Sequence, residues 1–399
     1  MIINLAVGPA RNMKRTWSRA AAVSHATGYD TAHWVFAPHF IGNPYQEILN
    51  MALPEHGFAV RGAKSYEDAA QLLLASPMPG PKVLHMHWLN VVLAGADTRE
   101  SAESRVASFD RLLQQLKAKG VQLVWTMHNV LPHESVFTDL EVRLREIVIG
   151  HVDLIHIMNP DSAGLAAPYF ALPREKTVRI EHPGYNGYYP MWKSKGAARA
   201  ELGFAPSEQV ALVLGAIKPY KGLLDLARDV DLISRDRPRS ISLVIAGQPG
   251  NDAETEELLH VGAAHPAIHI LPEQLSANDV GLLYAAADTA IIPYRASLNS
   301  GALVLALSMG RPVIARESAG STHLLASGAG GIYSSGDQLR NALHDSSWVA
   351  PATSEAQRMA QRLSPERIST HFARVMRAFV IGGANDAVIA AGTNGGLDV

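Results

Sequence analysis

The sequence predicts an α/β protein built as two doubly wound domains, each a parallel sheet with helices on both faces. Three observations carry that expectation. Short apolar runs alternate with helix-length amphipathic stretches along most of the chain. The alternation breaks once, at a segment rich in glycine, proline and aromatic rings, and then restarts. A chain of 399 residues is long enough for two domains with separate cores. Repeated βα units of this kind close into parallel sheets, and such sheets hold ligands at the carboxyl ends of their strands.

In order, residues 2–7 and 33–37 read as strands with a helix-compatible stretch, 13–25, between them. Asn43 and Pro44 read as a cap followed by proline at the first helical position, with the helix running to about residue 53. Residues 83–88 form the next strand. Residues 103–119 place Val106, Phe109, Leu112, Leu113 and Leu116 on one helical face, closed by Gly120. Strands follow at 121–127, 154–158 and 177–181, with a helix at 141–149. Residues 183–196 hold three glycines, two prolines and four aromatic rings without an apolar period, and serve as the linker. The second half predicts strands at 210–217, 241–246, 268–271 and 290–294, alternating with helices at 222–233, 254–261, 277–287 and 301–309, and then a strand at 312–315. An amphipathic helix spans 364–378. The domains are therefore 1–182, a linker 183–196, a second domain 197–363, a closing helix 364–380 and a flexible tail 381–399, the two domains facing a cleft.

Composition narrows the classes. Hydrophobic content of 47% against 18% charged is a soluble globular balance, and no run reaches the roughly 18–20 apolar residues of a membrane span. The first residues lack a positive segment ahead of their apolar run, unlike a secretory signal. There is no cysteine, so neither disulfides nor thiolate metal sites form, which is compatible with the cytoplasm. A net charge of −2 argues against a protein devoted to nucleic acid. No acidic residue precedes Asp30, yet Arg11, Lys14, Arg15 and Arg19 surround Trp17. That segment reads either as a basic helix touching an anionic membrane surface or as a solvated face.

The stretch from Pro293 to Ala315 joins a strand, a polar loop and a helix. Ser297, Asn299, Ser300 and Gly301 sit where the loop meets the helix, so Ser300, Gly301 and the next residue can present backbone N–H groups to an anion. The same pattern also suits an ordinary βα unit. Gly215-Ala-Ile-Lys-Pro-Tyr-Lys-Gly222 follows a strand and opens a helix, and its Lys218 and Lys221, three apart, can converge on one anion. Otherwise it is a solvated basic turn. Both loops lie at carboxyl ends of strands in one sheet and so can pinch a diphosphate. Gly247 and Gln248, and then Glu273, end the strands between and are places to hold a ribose or base.

In the first half, His85, His87, Trp88 and Asn90 end one strand, and His128, Asn129, His133 and Glu134 follow the next. Strand alternation puts His85 and His87 on one face, and His85 reads as buried and hydrogen-bonded. No His-Glu-x-x-His or comparable ligand spacing occurs, so no metal site is expected. His128 can move a proton near neutral pH or hydrogen-bond a sugar, and a desolvated Glu134 can act as general base. Dinucleotide, Walker and Gly-x-Ser-x-Gly fingerprints are absent.

Taken together, these motifs resemble GT-B glycosyltransferases, in particular bacterial exopolysaccharide-type enzymes near the large family-four group. The donor half is matched by Gly215 to Gly222, Gly247, Asp288 and Pro293 to Ala315, in the same order. The acceptor half is matched by Asn43-Pro-Tyr45, His87-Trp88 and Trp125-Thr-Met-His-Asn-Val-Leu-Pro-His-Glu134. The resemblance covers roughly residues 30–380 and implies a UDP-, GDP- or dTDP-sugar donor, no cofactor and no obligatory metal. Lys218, Lys221 and the N–H groups after Ser300 would meet the charge of the departing diphosphate. Asn43, Tyr45, His87, Asn90 and Asn129 would face a saccharide or lipid-linked acceptor, with His128 and Glu134 as catalytic candidates. The closing helix would cross back to the first domain. The resemblance departs at Ser297 and Leu305, where the family often carries two glutamates eight apart, so it does not fix the sugar or the stereochemical course. His128 or Glu134 as base suits inversion, whereas His128 as a sugar contact suits retention. A nucleotide-sugar 2-epimerase and a non-catalytic nucleotide-sugar binder stand as alternatives.

Overall fold

The computed structural model describes residue 22 and residues 31–132, 135–235, 241–295 and 297–382. The strand expected at 2–7, the helix at 13–25 apart from Ala22, the basic side chains Arg11 to Arg19, His133, Glu134 and the tail beyond residue 382 lie outside the described residues. The chain divides into two compact units, one reaching to Pro183 and resuming at Glu366, the other spanning Gly184–Pro365.

The first unit runs β1 (Ala32–Ala37), α1 (Tyr45–Asn50), β2 (Phe58–Gly62), α2 (Tyr66–Leu74), β3 (Lys82–Met86), α3 (Arg99–Ala118), β4 (Val121–Thr126), α4 (Thr138–His151), β5 (Leu154–Ile157), α5 (Ser162–Ala166) and β6 (Thr177–Arg179). Its sheet is parallel throughout, in the order β2-β1-β3-β4-β5-β6. The strands are nearly continuous apolar runs because both faces are covered, and β1 is buried along its whole length. Register sets the site. Ala37 pairs with Met86 and Met86 with Trp125, so the chain leaves β1, β3 and β4 at one level of one edge. Between β1 and β3 the winding changes direction, which is where an open parallel sheet leaves a crevice.

Helix starts follow the sequence. Thr98 caps α3 through the Ser101 N–H, and Ala102, Val106, Phe109, Leu113 and Leu116 form its buried stripe, with Leu112 half-buried beside them. Asn43 acts locally, its Oδ1 accepting from the Tyr45 N–H at 3.1 Å. The helix it introduces stops at Asn50, earlier than expected, and a separate 3-10 turn covers Leu53–His56.

The second unit opens with α6 (Lys195–Leu202) and continues β7 (Gln209–Leu214), α7 (Leu223–Arg235), β8 (Ile241–Ala246), α8 (Ala253–Ala264), β9 (Ile268–Leu271), α9 (Ala277–Ala286), β10 (Thr289–Ile292), α10 (Gly301–Ser308), β11 (Val313–Arg316), α11 (Ala319–Leu325), β12 (Gly330–Tyr333), α12 (Gly336–His344) and α13 (Val349–Arg362). Its parallel sheet has the order β12-β11-β10-β7-β8-β9. The chain walks outward from β7 to β9 and returns at β10 on the other side of β7, so the switch point lies between β7 and β10.

Two boundaries differ from expectation. Ser194 caps α6, so Lys195 and Gly196 belong to a helix and not to the linker. The residues before it are also fastened to the second unit. The Tyr185 N–H donates to Ser308 Oγ at 2.9 Å, and the Tyr185 ring is buried. The closing helix α14 (Pro365–Ile381) places Ile368, Phe372, Met376 and Phe379 in the same core as Trp34, Phe36 and Leu49 of the first unit. Ser369 Oγ ties it further, donating to Leu49 O at 3.1 Å and accepting from the Ala52 N–H at 2.8 Å.

Candidate active site

In the second unit the loops after β7 and β10 meet. A 3-10 turn, Pro219–Lys221, carries Lys221 inward, where it is 6% exposed. Its ammonium lies 5.0 Å above the Tyr294 ring, a cation–π contact. Among the described residues it has no carboxylate within ion-pair distance. Burial lowers its pKa from the usual lysine value, with only Tyr220 acting the other way. Gly215, at φ 124°, is needed beneath it, since a Cβ there would stand 3.0 Å from the Nζ atom. Gly247, at φ 150°, ends β8 in the same manner, packed on the Gly215 backbone so closely that no side chain fits. A desolvated ammonium with no carboxylate partner among the described residues is costly, a cost that binding an anion would relieve.

Ser300 caps α10, its Oγ accepting from the Leu303 N–H at 3.2 Å, which commits the hydroxyl to the helix. The N–H groups of Gly301 and Ala302, in the first turn, have no intrahelical partner and carry the positive end of the helix dipole. Arg295 is pinned by an ion pair to Asp225 at the start of α7, at 2.6 Å.

The remaining donor-side expectations divide. Lys218 is exposed and does not share the burial of Lys221, so the two lysines are not equivalent as expected. Gln248 is exposed and serves through its backbone, its carbonyl accepting from the Ile217 N–H at 2.8 Å. Glu273 is exposed beyond β9. Ser297 and Asn299 are half-buried, and the Ser297 carbonyl accepts from the Gly320 N–H at 3.1 Å. Asp288 sits at the opposite edge of the sheet, bonded to the Val210 N–H at 2.8 Å and to Arg199 at 2.6 Å, a structural place.

The first unit has its own pocket, open to solvent and lined among others by His87, Trp88, Asn90, His128, Asn129 and Arg145. His87 follows β3 and is fully buried, its N–H bonded to Ala37 O at 2.9 Å. His128 comes two residues after β4 and stacks on Trp88, with ring centres 4.2 Å apart and an interplanar angle of 16°. His87 Nδ1 and His128 Nε2 stand 3.0 Å apart. Burial, and then the neighbouring imidazoles His87, His182 and His156, keep the pKa of His128 well below the usual histidine value. It is a neutral ring at physiological pH. Asn90 is exposed and Asn129 half-buried on the wall. Tyr45 is placed differently from expectation. Its ring is 2% exposed and packs behind the site against His128 and His182, at 5.1 and 4.7 Å. Asn43 shapes the turn before it. His85 is buried as expected, its Nε2 2.7 Å from Thr126 Oγ1.

Arg145 and Trp125 complete the wall. Arg145 is 3% exposed and bonds Glu141 Oε2 at 2.6 Å. Its sequence signal is a charged i,i+4 pair lying on the buried stripe of Leu140, Leu144 and Val148. Among the described residues no three His, Asp or Glu side chains converge as metal ligands.

Comparison with known proteins bears on the family and the fold. Residues 208–346 match the family model described as glycosyl transferases group 1. The chain is 30% identical over 289 residues to a GDP-mannose:glycolipid 4-beta-D-mannosyltransferase of Xanthomonas campestris pv. campestris, covering 68% of this chain and 69% of that one. The fold is shared with sucrose-phosphate synthase from Thermosynechococcus elongatus, at TM-score 0.68 and 15% identity over 88% of this chain and all of that one. It is shared also with Anabaena HepE solved with UDP-glucose, at TM-score 0.65 and 16% identity over 87% and 99%. The curated relative and the matched family transfer sugars, which sets aside the epimerase and the non-catalytic binder. With two parallel six-stranded sheets, a helix returning to the first, and this relative over two thirds of its length, the chain belongs to the group 1 glycosyl transferases and is a glycosyltransferase of the GT-B fold.

Proposed function

We propose that the enzyme takes a glycosyl group from a nucleoside-diphosphate sugar held by the second unit and passes it to a hydroxyl of a saccharide held by the first. The observation that carries the reading is Lys221, a buried ammonium on the loop after β7, held against Tyr294 of the loop after β10, with no carboxylate partner among the described residues. A diphosphate supplies the missing negative charge on binding. As the glycosidic bond breaks, the charge growing on the leaving diphosphate meets a fixed cation and fixed N–H dipoles. That electrostatic role does not require a divalent ion, so activity is expected to survive a chelator.

The acceptor is read as a lipid-linked saccharide in glycan or exopolysaccharide synthesis, after the glycolipid named for the Xanthomonas relative. The reaction would then take place in the cytoplasm at the membrane face, with peripheral contact through Arg11 to Arg19. No described helix is long and apolar enough to cross a membrane.

The test is a thermal-shift screen of GDP, UDP and dTDP, with GDP first because of that relative, followed by turnover of the matching sugar nucleotide on a glycolipid acceptor. Stabilisation by one diphosphate, and transfer that persists in EDTA, are expected. No stabilisation by any of the three would overturn the donor assignment.

A further inference from the structure

Beneath the first-unit pocket the hydrogen bonds between buried side chains run in one direction, and that direction decides what His128 can do. His156 Nε2 lies 2.8 Å from Ile180 O. A carbonyl only accepts, so Nε2 carries the ring proton and Nδ1 of this neutral ring is a bare lone pair. Thr126 Oγ1, 3.0 Å from that Nδ1, must donate to it. The hydroxyl hydrogen being spent, Thr126 accepts from His85 Nε2 at 2.7 Å. His85 is thereby left with an unprotonated Nδ1, buried and without a partner among the described residues. This interior therefore already accommodates a bare imidazole lone pair.

The same choice faces His87, whose ring centre lies 4.2 Å from that of His85. His87 Nε2 is buried without a partner among the described residues, and His87 Nδ1 meets His128 Nε2 at 3.0 Å. If His128 donated, His87 would have to bury an unpaired N–H, the rarer kind of orphan. If His87 donates from Nδ1, it buries only a lone pair, as His85 does. We propose that His87 is a positioning residue that holds His128 in the tautomer protonated at Nδ1, so that His128 serves glycosyl transfer as a hydrogen-bond donor and not as its base.

The consequence comes from counting lone pairs. His128 Nε2 accepts from His87 and Nδ1 carries a proton, so the neutral ring has no site left to take one from an acceptor hydroxyl. Among the described residues, the titratable groups around His87 and His128 include His85 on β3, His39 after β1, His156 on β5, His182, the phenols of Tyr45 and Tyr66, and Arg145 on the pocket wall, which is paired with Glu141. Tyr66 donates to the His87 carbonyl at 3.3 Å, which fixes the backbone that aims the ring. The imidazoles of His85, His156 and His39 all oppose a positive charge on His87, as does burial, so a neutral pair is the ground state. This inference rests on the transferase reading for its role but not for its geometry.

The experiment is long-range 1H–15N correlation of the full chain labelled at histidine, with His128 assigned by its loss in His128→Gln. A protonated Nδ1 and an unprotonated Nε2 are expected, and the reverse overturns the proposal. Two nearly isosteric variants add a readout that packing alone would not move. In His87→Asn the amide nitrogen stands where Nδ1 stood and keeps donating, so the His128 tautomer persists. In His87→Asp the polarity is reversed, Nε2 of His128 becomes protonated, and kcat falls by up to roughly tenfold below the Asn variant while KM for the donor changes little. Equal kcat in the two variants, with the tautomer switched in the Asp form, would overturn the catalytic consequence. Absence of transfer by the parent enzyme, with the tautomer as expected, would instead count against the transferase reading alone. If the Asp variant does not fold, the parent spectrum and the Asn variant still decide.

Discussion

The ammonium of Lys221 lies over the ring of Tyr294, 5.0 Å from its centre, joining the loop after β7 to the loop after β10. Those are the two strands flanking the switch point of the second sheet. The contact is a weak substitute for a counter-ion. It holds the lysine in place while leaving its charge available to an anion.

Ser300→Ala removes the hydroxyl that receives the Leu303 N–H and leaves the first turn of α10 uncapped. Stability should fall by about 1 kcal/mol, the usual cost of losing a serine cap. Diphosphate affinity should fall much less than on removal of Lys221, because the Gly301 and Ala302 N–H groups remain. Urea titration and calorimetry on the same preparation check both halves.

His128→Ala should spare nucleotide binding and lower turnover. His128 belongs to the first unit, stacked on Trp88, and the proposed diphosphate site lies entirely in the second. A loss of one charge-neutral hydrogen bond to the reacting sugar is worth about 0.5–1.5 kcal/mol, up to roughly tenfold in kcat. Equal loss of diphosphate affinity in calorimetry would contradict this division of labour.

Acid should destabilise the first unit before the carboxylates titrate. Burial lowers His156 from 6.5 to about 4, and His33 and His182 likewise to about 4. Between those values the unfolded chain binds protons that the folded chain excludes. Their contribution is therefore whole above pH 6.5 and is lost as pH falls toward 4. For a fully buried ring such as His156 the loss approaches about 3 kcal/mol. Urea midpoints between pH 7 and pH 4.5 should fall steeply, and less steeply in His156→Gln. An unchanged slope in that variant would contradict the assignment.

Much of the fold was legible in the sequence, for identifiable reasons. Strands covered on both faces leave apolar runs, so β1, β3, β4, β7, β8 and β10 stand out. Two of the four edge strands do not. β2 carries Arg61 and ends in glycine, and β12 begins with two glycines and is half-exposed, so neither has an apolar signature. Lys218 and Lys221 read alike in a turn, and only the inward roll of the 3-10 segment separates the exposed lysine from the buried one. Tyr45 reads as a ligand contact because its motif resembles one, yet the packing of α1 buries it behind His128. The pairing of His87 with His128 depends on the register of β3 against β4, which local sequence does not specify. Arg145 is hidden because a charged pair on a helix usually marks the solvent side, and here it marks the pocket wall.

The central claim is tested most directly by calorimetric titration of the preferred nucleoside diphosphate into the parent enzyme and into Lys221→Met, with thermal melts of both. Methionine keeps the length of the side chain and removes the buried charge. Affinity should fall by about 1.5–3 kcal/mol, roughly ten- to a hundredfold, while the unliganded variant melts at the same temperature or higher because a desolvated cation has gone. Affinity unchanged within twofold, with Lys221→Met folded, would contradict the claim that this lysine is the anchor of the diphosphate.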